Sequence, residues 1–383
     1  MSSMFPVIIT TCLCFRVESN YLMIRSDCSW STMNILTIPK ELQFHILGFL
    51  PVPDRLRVSE TCHLLKDVAR DPSLWKKLAL RDLMIWDNNK SCRDHVARCS
   101  SLKELVISSP HTLQGRIRSD MIPSDKIMNV VMEAKRSIKT LSIANFKLSN
   151  SSFKQIGQLT HLTKLDIDAV NIKSDGIAIL ANLSELKSLK MKNLQLCTLD
   201  NLVDFFSILR KLEVVVLQGY RQLNDEVIES LVINNPNLYH LNIKNTSYLT
   251  QHSLTGRSLR IIADNCPHIT HIDIGNIRVF RNDDIKIVSK CSKLKYASFE
   301  YTRIEDSVLE RLANDCPDLE DLNLSECRHI TVAGIEAFLD KASKAKLKCL
   351  DIRHCRVLYT TRNFGSIADQ LKLKYPLVDI VYM

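Results

Sequence analysis

One short segment returns about ten times along this 383-residue chain. Leu102–Ser108, Leu162–Asp168, Leu186–Lys192, Leu238–Lys244 and Leu319–Ser325 all read Leu-x-x-Leu-x-(Leu/Ile/Met)-x. Successive units start at Leu102, Ile138, Leu162, Leu186, Leu212, Leu238, Ile269, Leu294, Leu319 and Leu347, mostly about 24 to 28 residues apart. Such a period predicts one strand and one helix per unit. Alone, neither can bury its apolar positions; stacked side by side, the units share a continuous core. In the unit from Leu319 the strand is followed by Cys327, a turn at Ile330-Thr331 and a helical stripe of Ile335, Phe338 and Leu339. Tyr375–Ile380 looks like the strand of one more, shortened unit that caps the array. The fold class expected is α/β, with parallel strands inside and helices outside.

Ahead of the repeats lies a different, all-helical segment. Pro39 stands where a helix would start, in a position whose N–H has no intrahelical partner, and Glu41 sits near the positive helix end. Leu42, Ile46, Leu47 and Leu50 read as one helical stripe, which Pro51-Val52-Pro53 stops. Asp54 then opens a short helix carrying Leu56 and Val58, Thr61 another carrying Leu64, Leu65 and Val68, and Asp71-Pro72-Ser73 a last turn presenting Leu74 and Trp75. About 40 residues are too few to bury all these groups, so part of the stripe calls for an outside partner.

In order, Ile38-Pro39-Lys40-Glu41-Leu42, Ile46-Leu47-Gly48-Phe49-Leu50, Asp54-Arg55-Leu56-Arg57-Val58, Cys62 and Asp71-Pro72-Ser73-Leu74-Trp75 resemble an F-box, the adaptor-docking module of SCF-type ubiquitin ligases. Cys266-Pro267, Cys316-Pro317, Cys327 and Cys355 resemble the cysteine-containing subclass of leucine-rich repeats. The resemblance implies a small helical F-box followed by a leucine-rich-repeat solenoid. It implies a substrate-recognition subunit that docks a Skp-family adaptor, through it reaches cullin and RING subunits, and holds the protein to be ubiquitylated on its repeats. It implies no catalysis by the chain itself and no cofactor. The adaptor-binding residues expected are Pro39, Leu42, Ile46, Leu47, Leu50, Leu56, Val58, Leu74 and Trp75. Two alternatives are an interaction protein acting without ubiquitylation and a nucleic-acid-binding repeat protein.

The boundaries expected are a disordered leader over 1–33, the F-box over 34–80, a connector over 81–101 and the repeats with their cap over 102–383. In the leader, Phe5–Phe15 is an apolar run that no Lys or Arg precedes and that is too short to span a bilayer. The chain is otherwise balanced for a folded protein, 45% hydrophobic and 24% charged, with few Gly and no Walker, zincin or kinase signature. Its thirteen cysteines are odd in number and include no CxxC pair. Cys327, Cys349 and Cys355, with His329 and His354 beside them, therefore read as reduced core thiols rather than metal ligands, which points to the cytoplasm or nucleus.

Strand side chains alternate, so the residues between the leucines share one open face. Of these, Tyr296, Glu300, Asp321, Asn323, Asp351 and Arg353, with Arg356 beyond the strand, are the expected substrate contacts. The reason is charge: +6 of the formal +9 falls from Lys341 to the end, which would favour an acidic or phosphorylated segment. The identity of the target is not written in the sequence.

Overall fold

The computed structural model describes residues 14–18, 21–26, 29–34, 37–50, 55, 58–59, 63–80, 102–108, 124–144, 146, 148–168, 174–192, 199–220, 223–245, 253–355 and 366–382. It divides into two units, residues 1–142 and 143–383. The expected connector over 81–101, Leu56 and Arg356 lie outside the described residues.

The first unit opens with three antiparallel strands, β1 (Cys14–Glu18), β2 (Tyr21–Ser26) and β3 (Ser29–Asn34). Glu18 pairs with Tyr21 and Ser26 with Ser29. This part of the chain was expected as a disordered leader. The signal overlooked is Phe15, Val17, Tyr21 and Ile24, strand-forming residues in two runs only two positions apart.

Helix Lys40–Phe49 follows, with the Pro39 carbonyl accepting the Leu42 and Gln43 amides at 3.0 Å each. It stops at Leu50, whose backbone is extended, as the residue before a proline requires. Helix His63–Ala69 contributes Leu65, Val68 and Ala69 to the core, where they join Leu47, Val58, Leu74 and Trp75. Asp71 caps the last turn, Pro72–Trp75, by accepting the Ser73 amide at 2.8 Å. The Trp75 indole N–H donates to the Ala69 carbonyl at 2.8 Å. Arg55 is buried beneath this turn. Its Nε donates to the Leu50 carbonyl at 2.8 Å, its Nη1 to that of Leu74, and its guanidinium lies 5.6 Å from the Trp75 ring centre. Burial pushes its pKa down from the ordinary value, and the two carbonyls compensate the desolvated charge.

Three repeat strands begin in this unit: β4 (Lys77–Leu80), β5 (Glu104–Ser108) and β6 (Thr140–Ala144). β4 and β5 are parallel. Thus the repeat pattern starts ahead of Leu102, at a strand whose Lys-Lys-Leu-Ala-Leu sequence lacks the leading leucine.

The second unit carries nine strands, β7 (Lys164–Asp168), β8 (Ser188–Met191), β9 (Val214–Val216), β10 (His240–Asn242), β11 (His271–Asp273), β12 (Tyr296–Ser298), β13 (Asp321–Asn323), β14 (Cys349–Asp351) and β15 (Asp379–Val381). Each is parallel to the next, and helices between them pack on one another. All ten start residues named above are buried, and a strand begins two residues after each. The chain is an α/β leucine-rich-repeat solenoid.

Two devices link neighbouring repeats. After β9, β11, β12, β13 and β14 the backbone turns through a left-handed residue: Gly219, Asn276, Tyr301, Glu326 and His354, with φ between 53° and 79°. The amides of the first four donate to carbonyls of the next repeat, as in Tyr301 to Ser325 at 2.8 Å and Glu326 to Arg353 at 2.8 Å. At the helix starts, Asp306 accepts both the amide (2.8 Å) and the hydroxyl (2.6 Å) of Thr331, which in turn caps helix Val332–Ala342. Asp225 does the same for Thr255. Gly334 makes room for this contact, since a Cβ there would stand 2.1 Å from the Asp306 carboxyl carbon.

The buried thiols are built into the same joints. Cys327 Sγ donates to the Phe299 carbonyl at 3.1 Å, Cys355 Sγ to that of Leu324 at 3.0 Å, and Cys316 Sγ reaches the Ser289 and Cys291 carbonyls. In one repeat Asn235 takes the place of the Cys before Pro, donating to Leu209 and Leu231 carbonyls and accepting the Leu212 amide. Burial pushes Cys266, Cys316 and Cys327 up to about 12 and Cys291 to about 11.

Candidate functional site

On the open face of the second unit, alternate strand residues stay accessible while the leucines between them are buried. The first positions of β10, β11 and β12 stack: the His240 and His271 rings are 5.3 Å apart and those of His271 and Tyr296 6.0 Å. Burial, then the neighbouring His271, lowers His240 to about 4. Further along each strand, polar groups pair across repeats. Asn242 donates to Asp273 at 3.0 Å, Lys244 meets Glu300 at 2.6 Å, and Asn323 reaches the same Glu300 oxygen at 3.4 Å. Burial raises the Asp273 pKa. Asp273, Ser298 and Ser325 are themselves buried.

At the far end Arg353 binds Asp351 through both Nε and Nη2, the latter at 2.6 Å. That pair belongs to one repeat, so an incoming anion would have to displace Asp351. Three lysines from Lys341 on also have partners: Lys346 has Asp318 at 2.6 Å, Lys348 has Glu320, and Lys341 has the Asn314 side-chain carbonyl oxygen at 2.9 Å. Among the described residues of this end, the charges of Lys346, Lys348, Arg353 and Lys374 are thus met by carboxylates. Tyr296, Glu300, Asp321, Asn323, Asp351 and Arg353 do share the open face, but Glu300, Asp351 and Arg353 already have charged partners there.

The helical segment of the first unit offers a second surface. Helix Lys40–Phe49 has two apolar stripes, one residue apart in phase. Gln43, Leu47 and Leu50 point inward and are buried. Leu42, Ile46 and Phe49 point outward: Leu42 is 36% and Phe49 54% exposed, with Ile46 half-buried. Leu64 on helix His63–Ala69 is 65% exposed. Beside Phe49 lies a cavity of about 650 Å³ lined by Glu41, Phe44, His45, Gly48, Arg55 and Leu74 among others. The His45 ring meets that of Phe49 edge-on at 5.0 Å.

Residues 35–81 match the F-box-like family. An Arabidopsis thaliana protein named as an F-box protein is 26% identical over 69% of this chain and 79% of its own length. A second, named as an F-box/LRR-repeat protein, is 24% identical over 63% of this chain and 73% of its own. Bos taurus F-box/LRR-repeat protein 4 is 27% identical over 105 residues, 17% of its length. The chain carries an F-box-like domain followed by leucine-rich repeats. Its fold is also similar to that in the crystal structure of the yeast Rad7 and Elc1 complex, at TM-score 0.60 and 17% identity over 89% of this chain and 86% of that one.

Within the F-box-like domain, Leu47, Leu50, Val58, Leu74 and Trp75 are core residues. They shape the outer surface rather than form it, which corrects the single stripe expected from sequence. Pro39, Leu42 and Ile46 do lie on the outside or its edge. Phe49 and Leu64 were missed; the i, i+4, i+7 spacing of Leu42, Ile46 and Phe49, read as its own stripe, carries the signal for the first. Among the described residues no group of three or more His, Cys, Asp or Glu is placed to hold a metal.

Proposed function

We propose that this chain is the substrate-recognition subunit of an SCF-type ubiquitin ligase, whose F-box-like domain docks a Skp-family adaptor. One observation carries the reading: among the described residues of the domain, the Leu42, Phe49 and Leu64 side chains stay exposed while Leu47, Leu50, Leu65, Leu74 and Trp75 are buried. Large apolar groups left outside call for a protein partner, and central aromatic or aliphatic anchors supply most of the affinity in such contacts. The adaptor would link the chain to cullin and RING subunits, while the repeats hold the protein to be modified. The chain's contribution is proximity, which replaces rare encounters with a high effective concentration. It would supply no chemistry of its own. A reducing compartment, cytoplasm or nucleus, suits its buried free thiols.

The test is co-purification. The chain should retrieve a Skp-family adaptor together with a cullin, and Leu42→Asp with Phe49→Asp should abolish both. Retrieval of the adaptor without any cullin would leave an interaction protein that acts without ubiquitylation; failure of the unaltered chain to retrieve an adaptor would overturn the reading outright.

A further inference from the structure

Four arginines converge on Tyr301 at the turn edge of the second unit. The Arg278 guanidinium, from the preceding repeat, lies 4.9 Å from the Tyr301 ring centre, and that of Arg328, from the following repeat, lies 5.6 Å away. Arg278, Arg303 and Arg328 hold equivalent positions after β11, β12 and β13. With Arg281 and His329 they line a cavity of about 640 Å³, to which Glu305 and Glu326 also contribute. All four arginines are exposed. Among the described residues none of them forms an ion pair, although Arg353 and many surface lysines do.

Tyr301 takes the left-handed turn conformation, φ 53°, that Asn276, Glu326 and His354 share at the equivalent turns, and its ring lies beside two of the arginines. Here the ring orders two guanidinium groups from different repeats, and a planar guanidinium stacked on an aromatic keeps its N–H edge free for an anion.

We propose that this cavity binds a phosphomonoester, carried by a phosphorylated serine or threonine on the protein the repeats recognise. The assignment of that phosphate to a target protein rests on the receptor reading above. A phosphomonoester brings nearly two negative charges and three acceptor oxygens into a small volume, which matches several converging guanidinium forks. A nucleic-acid backbone fits less well. Glu305 and Glu326 interrupt the basic lining and would repel a continuous polyanion, and the Tyr301 ring is already engaged by cations instead of being open to a base.

The experiment uses the full chain and three fluorescent probes: a peptide pool with a fixed central phosphoserine, the same pool unphosphorylated, and a mixed-sequence single-stranded RNA. The phosphoserine pool should bind at least about tenfold more tightly than its unphosphorylated twin. Arg303→Gln, a change at an exposed side chain, and the Arg278→Gln/Arg328→Gln pair should each erase most of that preference, while Arg353→Glu should leave it in place. Equal binding of the two pools, or an equal loss in Arg353→Glu, overturns the proposal; tighter binding of the RNA assigns the cavity to nucleic acid instead. No probe needs the adaptor. A chain that prefers the phosphopeptide but retrieves no Skp-family adaptor would sink the receptor reading alone, and the reverse pattern would sink the cavity assignment alone.

Discussion

Lys244 Nζ and Glu300 Oε2 meet at 2.6 Å across two repeat boundaries, directly over Gly275 of the repeat between them. A Cβ at Gly275 would stand 3.1 Å from Asp273 Oδ1, 3.3 Å from Glu300 Cβ and 3.4 Å from Lys244 Cδ. Absence of a side chain at one position thus lets residues of non-adjacent repeats touch. Gly275→Val, whose two methyl groups extend beyond that Cβ, should part the pair and lower unfolding stability by roughly 1–3 kcal/mol. Lys244→Ala alone should cost less, about 0.5 kcal/mol. Denaturant titration measures both, and a Gly275→Val protein as stable as the parent would show that the turn yields freely.

The two stripes of helix Lys40–Phe49 separate binding from folding. Leu42→Ala with Phe49→Ala should weaken adaptor capture by about 2 kcal/mol or more with the melting temperature little changed. Trp75→Ala should instead destabilise by roughly 3–5 kcal/mol, through the cavity it leaves beneath Arg55. If the first variant unfolds while the second folds normally, inward and outward faces have been assigned the wrong way round.

Asp306 holds a helix start in the next repeat, so its effect should be felt there. Asp306→Ala is expected to cost about 1 kcal/mol, with hydrogen exchange accelerating at the first turn of Val332–Ala342 more than within the mutated helix, Asp306–Asp315. Uniform acceleration along the chain would argue against a local lock.

His240 provides a pH signature. Its folded pKa of about 4 lies below the ordinary imidazole value, so between about 6.5 and 4 the unfolded chain binds a proton that the folded one does not. Stability is therefore retained above that window and declines as pH falls through it. His271 is lowered in the same direction, first by burial and then by Lys295. His240→Phe should flatten the slope of stability against pH in this range, and an unchanged slope would mean other groups dominate it.

Thiol chemistry should follow burial. Cys349 is only half-buried, whereas Cys266, Cys316, Cys327 and Cys355 are enclosed with their pKa values pushed well up. At pH 8, alkylation of the native protein should reach Cys349 well before these four, as peptide mass mapping would show; rapid modification of Cys327 would mean that the joint between repeats opens readily.

Much of the repeat architecture was legible because it is periodic. Every start residue from Leu102 to Leu347 is buried with its strand two residues on, since the stacking rule leaves a leucine at that phase no other place to go. The signal failed where it was weak or shared. Lys77–Leu80 is short and has no leading leucine, so the sequence reads it as part of the helical domain. Leu42 and Leu47 look alike in sequence, but five residues of helix, a full turn and about 140° more, send them to opposite sides. The arginines around Tyr301 escaped a count of net charge by segment, because their meaning lies in repeat register: equivalent positions of stacked units become neighbours in space. Arg353, which the charge count favoured, is held by a carboxylate two residues away.

The amide-to-carbonyl bonds that tie each turn to its successor run in one direction only. Leu324 and Glu326 donate to Asp351 and Arg353, and Ile352 donates in turn to Val381. Shortening the chain from its C-terminal side at any of these boundaries would expose a row of unsatisfied donors beside a newly opened strand edge, a template for self-association. Deletion series meant to map the target site on these repeats should therefore lose solubility before they lose recognition, and point substitutions on the intact array are the sounder route to that map.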